Sequence, residues 1–335
     1  MRRITVRFAD LDIEFVDRDV ALRQVEDWAN KSTWYPVVIF GPEGCGKTAF
    51  LRQTVEALRE LDYNVLYLHP LDRVFMAEVD EPDVKSLFLD LARQTLADEK
   101  WGRIALAVFD LVRELLRRRK RRVAVIADDV FQAIGLDNAA AYVKGLLNMI
   151  EHPVYDYEKI VILIATSEGL SRSEIGRHRW SIIMPMWNMT REGFQELYER
   201  IPGNKPPFED VWRTTGGNPG MLSRLYLTGW DSDALVTQLI REKGLTPDFI
   251  VRWRVWLGRV VEDPEALWSP DVPEELIKQL VAKNLIVYNM YDRDQAFWVD
   301  APPPERDPEL GIGRDVAWQT PLHREAVRLA LSEVK

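Results

Sequence analysis

The chain of 335 residues carries a single cysteine, which excludes an internal disulfide framework and any cysteine-cluster metal site. It lacks an apolar run of the ~18 residues that a membrane span needs. Residues 1–15 alternate polar and apolar positions with no apolar h-region, so a signal peptide is not expected. No internal repeat or low-complexity segment stands out. Positive charge is also short: 44 Lys and Arg stand against 53 Asp and Glu, a net charge of -9. Proteins that coat nucleic acid are usually basic, so the overall charge argues against that role and leaves room only for one basic face. These absences together lead us to expect a soluble cytoplasmic protein with no membrane partner.

What is present is an ordinary globular composition, 47% apolar with 12 tryptophans, most of them expected in cores. The length allows two or three domains. Runs at 37–40, 64–68, 123–127, 160–164 and 181–184 are continuously apolar and alternate with helical stretches. That is how parallel strands read when helices cover both faces of the sheet. From about residue 187 helical periods replace strands, with breaks at Pro202-Gly203 and at Gly216-Gly217-Asn218-Pro219-Gly220. From 248 onward the pattern predicts helix (249–261), helix (273–283), a hairpin of 285–291 with 296–299, and a last helix over 321–331. This is the outline of a winged helix. The expected division is therefore 1–186, an α/β P-loop core with helices on both faces of a parallel sheet; 187–247, a helical lid; and 248–335, a winged-helix domain.

The strongest local signal is Gly41-Pro42-Glu43-Gly44-Cys45-Gly46-Lys47-Thr48, followed by Ala49. It follows an apolar strand and opens a helix over 49–58, as a phosphate-binding loop must. Glycines let successive amides converge on one anion, and the helix N-terminus adds its unpaired N–H groups and dipole. Lys47 is placed to reach the β- and γ-phosphates, and the Thr48 hydroxyl to coordinate Mg²⁺. Cys45 reads as a small filler residue within the loop. Such a loop needs a carboxylate at the end of a buried strand downstream. Only the run at 123–127 ends in paired acids, so Asp128 is the expected metal-positioning residue and Asp129 the residue that orients or deprotonates water. The strand at 160–164 ends at Thr166-Ser167, polar side chains that could read a γ-phosphate.

These residues together resemble the archaeal ATPase family, a branch of the STAND-type and AAA+-like P-loop NTPases. Phe15-Val16-Asp17-Arg18-Asp19 is similar to that family's entry segment, which implies that Arg18 lies near adenine. The GGNP stretch is similar to its lid motif, which implies that Pro219 lies against base and ribose. His323, at the start of the last helix, is similar to a winged-helix histidine that contacts the β-phosphate. The resemblance implies ATP or ADP with Mg²⁺ as ligands, nucleotide-controlled switching, a protein partner read by the winged helix, and nucleotide-dependent oligomerisation. Two departures stand out. Asp129 replaces a common glutamate, which implies slow hydrolysis. Glu168 replaces an arginine, leaving Arg172, Arg177 and Arg179 as alternatives for the γ-phosphate. Arg117-Arg118-Arg119-Lys120-Arg121-Arg122 raises the rival reading of a DNA-binding initiator-like ATPase. However, residues 248–335 hold 11 Lys and Arg against 16 Asp and Glu, which does not favour it. A nucleotide-binding scaffold without turnover is the other rival.

Overall fold

The structure, a computed structural model, describes residues 1–98, 101–166 and 169–334. The chain starts with a hairpin of β1 (Thr5–Phe8) and β2 (Leu11–Glu14). Then follow α1 (Asp19–Lys31), β3 (Val37–Phe40), α2 (Lys47–Glu60), β4 (Asn64–His69), β5 (Val74–Glu78), α3 (Pro82–Asp98) and α4 (Trp101–Arg117). β6 (Arg122–Asp128), α5 (Val130–Ile134), α6 (Leu136–Glu151), β7 (Lys159–Thr166), α7 (Gly169–Ile175) and β8 (Ile182–Pro185) complete the α/β part. Helices dominate the rest: α8 (Arg191–Glu199), α9 (Phe208–Thr215), α10 (Pro219–Leu227), α11 (Ser232–Glu242), α12 (Pro247–Glu262) and α13 (Glu274–Ala282). β9 (Ile286–Tyr288), β10 (Val316–Trp318) and α14 (Pro321–Glu333) close the chain. No helix among the described residues is long and apolar enough to cross a membrane.

Two compact units emerge. The first comprises Met1–Ile4, Asp19–Phe40 and Lys47–Met184. Its six-stranded sheet has the order β5-β4-β6-β7-β3-β8. β3, β4, β6 and β7 run parallel, and β5 is antiparallel to β4 at the edge. β3, β4 and β6 are buried along their length, apart from the first residue of β6, because helices cover both faces. β7 separates the strand leading into the loop from the strand ending at Asp128. All four parallel strands therefore deliver their last residues to one edge: Phe40, His69, Asp128 and Thr166. In open α/β sheets, ligands bind at that carboxyl edge.

The second unit comprises Thr5–Arg18, Gly41–Gly46 and Pro185–Lys335. One continuous core runs from Met189 and Phe194 through Leu235, Trp253 and Leu276 to Trp318 and Ala330. α8, α10, α11 and α12 start on side-chain caps from Thr190, Asn218, Asp231 and Thr246. The last part departs from the predicted hairpin. β9 does pair, but its antiparallel partner is β10, far downstream, and not residues 296–299. Gln295–Phe297 instead forms a 3₁₀ turn held by Asp294, whose carboxylate accepts from the Ala296 amide. The apolar stretch there is apolar because Trp298 and Val299 are fully buried, Trp298 packing with Trp187, Met290, Leu310 and Ile312. Burial in a small satellite core mimicked a strand signal.

Candidate functional site

In the first unit the site grows from the sheet register. Leu68 lies opposite Ala127, so the next residues, His69 and Asp128, emerge side by side. Phe40 lies opposite Thr166, which is fully buried. Asp128 is 1% exposed. Its Oδ2 accepts from the Tyr67 hydroxyl at 3.3 Å, and the Thr48 hydroxyl also donates to it. Tyr67 in turn accepts from Arg52. Burial pushes the Asp128 carboxyl above its usual range, and Asp129 adds to that push. His69, the Thr48 hydrogen bond and the Lys47 ammonium hold it back. Lys47 opens α2 with its side chain buried, and the first turn of that helix carries no acid. The dipole at that end therefore meets no competing carboxylate within the helix and favours an anion.

Asp129 sits in the left-handed region at φ 46° and donates its amide to Ala165 O at 3.0 Å. It stands at the N-cap of α5 but spends no side-chain bond on capping. A non-glycine residue held there stores about 1–3 kcal/mol of strain, a device found at functional sites. Sequence reasoning missed His69. Its Nδ1 lies 3.6 Å from Asp128 Oδ2 and 3.3 Å from Asp72 Oδ2, and its Nε2 lies 3.9 Å from Asp129 Oδ2. A polar residue ending an otherwise apolar strand, one of only four histidines, was the available signal. Of the three candidate arginines, Arg172 stacks on the Phe40 ring at 4.4 Å, at the end of the strand leading into the loop. Arg177 pairs with Glu174. Ser167 and Glu168 lie outside the described residues.

The second unit shapes the loop itself. Gly44 and Gly46 adopt φ +77° and +102°, values that L side chains rarely take. Gly41 has no room for a side chain, because a Cβ would stand 2.0 Å from Met186 O. Cys45 is buried, donates its amide to Pro42 O and points its thiol at Met186 O. The GGNP stretch packs on this backbone. Asn218 caps α10 through Met221 N and donates Nδ2 to Glu43 O (2.9 Å) and Asn188 Oδ1 (2.8 Å). Gly220 N donates to Gly44 O at 2.9 Å, and a Cβ on Gly220 would strike Gly44. Pro219 takes the first helical position of α10, where its missing N–H removes nothing. Glu43 donates its amide to Gln319 and pairs its carboxylate with Lys243.

Arg18 is buried in the same unit. Nη1 meets Asp300 at 2.7 Å, and Nη2 donates to the carbonyls of Cys45 (2.6 Å) and Trp187 (3.0 Å). It is a latch on the loop's main chain. Its neighbour Asp17 has a carboxyl raised by burial, with Arg18 opposing that rise. His323 is fully buried in the first turn of α14, with Nδ1 at 2.8 Å from Thr320 Oγ1 and Nε2 without a hydrogen bond. Burial, with Lys243 and Arg224 adding, pushes its pKa down to about 3, so the ring is neutral. Ala49, the last loop residue named from the sequence, lies in the first turn of α2. Asp300, Asn188, Gln319 and Lys243 were not legible from sequence, because they come from distant stretches with no local motif.

Four of the six residues of the basic run, Arg117, Arg118, Lys120 and Arg122, form ion pairs. Arg117 and Arg118 bind Glu114, Arg118 and Lys120 reach Glu81, and Arg122 binds Glu158.

Among solved structures, this chain is similar to the Aeropyrum pernix ORC2 protein in ADPNP–ADP complexes, at 12% identity over 93% of this chain and 94% of that one, with a TM-score of 0.39. It is also similar to AMPPCP-bound DnaA from Aquifex aeolicus, at 17% identity over 79% and 77%, with a TM-score of 0.39. Cdc6p from Pyrobaculum aerophilum matches at 13% identity over 94% of both chains, with a TM-score of 0.34. No curated protein matches by sequence. The family assignment rests on a sequence profile, that of an ATPase domain predominantly from Archaea, which matches residues 15–225. The chain belongs to that family of P-loop ATPases.

Proposed function

We propose that this ATPase binds ATP with Mg²⁺ on Gly41–Thr48, hydrolyses it slowly, and uses nucleotide state as a conformational switch. One observation carries the reading: Lys47, Thr48 and Asp128 converge in the first unit, with the Thr48 hydroxyl bonded to a buried carboxylate beside the lysine. The donor set fits magnesium, a hard cation that takes oxygen ligands and keeps several waters. Thr48 and Asp128 would hold it, and the bound ion would supply charge neutralisation at phosphate oxygens. Lys47 neutralises the phosphate tail. Asp129, strained and at the strand edge, orients the attacking water and accepts its proton. Of the three arginines we assign Arg172 to the γ-phosphate, and its position over Phe40 supports that choice.

In the second unit, Pro219 faces the base and ribose, and Arg18 holds the entry segment against the loop backbone. The neutral His323, with a free-standing Nε2, offers a donor or acceptor to the β-phosphate. We read residues 187–247 as the lid and 248–335 as a winged helix that reads a protein partner, in a cytoplasmic protein that oligomerises with nucleotide bound. The ion-paired basic run supports an exposed structural face more than a DNA grip. Calorimetry with ATP and Mg²⁺, together with phosphate release, tests the reading. Wild type should bind and turn over, Lys47→Ala should do neither, and Asp129→Asn should bind without turnover. Equal phosphate release by wild type and Lys47→Ala would leave a scaffold without enzymatic activity.

A further inference from the structure

We propose that His69, Asp128 and Asp129 form a mixed nitrogen–oxygen site for a divalent first-row transition-metal ion. One ligand atom from each residue lies within 4.8 Å of the others, and two of the three residues are buried. His69 is the unusual member. Its side chain is 5% exposed, yet its buried Nδ1 makes no hydrogen bond although two carboxylates approach it. A histidine that served only to neutralise acids would be expected to close on one of them at hydrogen-bond distance. Here the ring stands 3.3–3.9 Å from three carboxylates and closes on none with good geometry. That spacing suits donors arranged around a shared ion.

The chemistry sets the class of ion. Magnesium takes oxygen ligands at near-ideal octahedral geometry, so an imidazole adds little for it. Manganese, cobalt and zinc accept imidazole together with carboxylates. Whichever ring nitrogen takes the ion, the other still faces a carboxylate. Asp72, mostly exposed and 3.3 Å from Nδ1, is the candidate to hold the ring in orientation. The site shares Asp128 with the proposed magnesium position and to that extent rests on the same strand edge. Its three ligands all come from the strand ends and none from the loop, although Asp128 also accepts from Thr48.

The test uses the full chain stripped with a chelator and kept free of nucleotide. Co²⁺ is titrated by calorimetry and visible absorption in the presence of excess Mg²⁺. The expected result is one tight equivalent with nitrogen-ligated bands, weakened at least tenfold in His69→Gln and His69→Ala. Should those variants fold poorly, electron spin-echo spectroscopy of the Mn²⁺-loaded wild type decides alone, because histidine nitrogen modulation must be present. No Co²⁺ binding, equal binding by wild type and the His69 variants, or no nitrogen modulation overturns the proposal. ATP affinity measured on the same preparations separates the two readings. Histidine-dependent Co²⁺ binding without ATP binding would sink the proposed function and leave this site standing, and the reverse pattern would do the opposite.

Discussion

The carboxyl edge of the sheet and the shell around Gly41–Gly46 solve opposite electrostatic problems. Around the loop, the buried side chains that touch its backbone are matched, and the orphaned Nε2 of His323 is the exception in that unit. Arg18 donates to one carboxylate and two carbonyls, Asn218 uses both ends of its amide, and Gln319 receives the Glu43 amide while its carbonyl accepts from Asn188. At the sheet edge, charge is crowded. Asp128 is buried with a raised carboxyl, Asp129 is held in the left-handed region, and His69 Nδ1 lacks a hydrogen bond. The contrast teaches that this chain fixes the shape of its phosphate loop with satisfied bonds and leaves the metal side unresolved. Ligand binding then has something to relieve there. Truncation should therefore destabilise the loop shell, and neutralisation should stabilise the edge.

The largest effect is expected from breaking the latch. Arg18→Ala removes the buried cation that faces Asp300 and should lower stability by about 3–5 kcal/mol in urea unfolding. Pairing it with Asp300→Leu should recover part of that loss, whereas a double variant as unstable as the sum of the singles would mean that the pair is not coupled. Next comes His323. Its folded pKa of about 3 lies below the 6.5 of a free ring, so between those values the unfolded chain binds the extra proton. Stability should be unaffected by this group above pH 6.5 and should fall as pH drops toward 3, by up to about 1.4 kcal/mol per pH unit. His323→Gln should flatten that acid limb, and an unchanged slope would show that the ring is not buried neutral.

Smaller effects, of the opposite sign, belong to the edge. Asp128→Asn removes a charge that burial disfavours, so its melting temperature should rise while turnover disappears. A lower melting temperature would contradict the crowding described here. Asp129→Gly relieves the left-handed strain and should stabilise by about 1 kcal/mol, again with turnover lost.

The parallel strands were legible because double-sided burial writes continuous apolar runs, and the loop was legible because its glycines and Lys47 are adjacent in sequence. Asp128 followed from being the first acid after such a run. The β1–β2 hairpin and edge strand β5 were not legible. Each strand has four or five residues and buries only one of them, Phe8, Ile13 or Ala77, so none writes a continuous apolar run. The strand paired with β9 was misplaced because Trp298 and Val299 are apolar for a reason unrelated to pairing. The Arg18–Asp300 latch spans 282 positions, a separation over which no local pattern operates.

The most direct test of the central claim is magnesium-dependent ATP binding and phosphate release by wild type beside Lys47→Ala and Asp128→Asn. The account predicts binding and slow turnover by wild type, no binding by Lys47→Ala, and no turnover by an Asp128→Asn protein that melts higher. Equal behaviour of all three would contradict it.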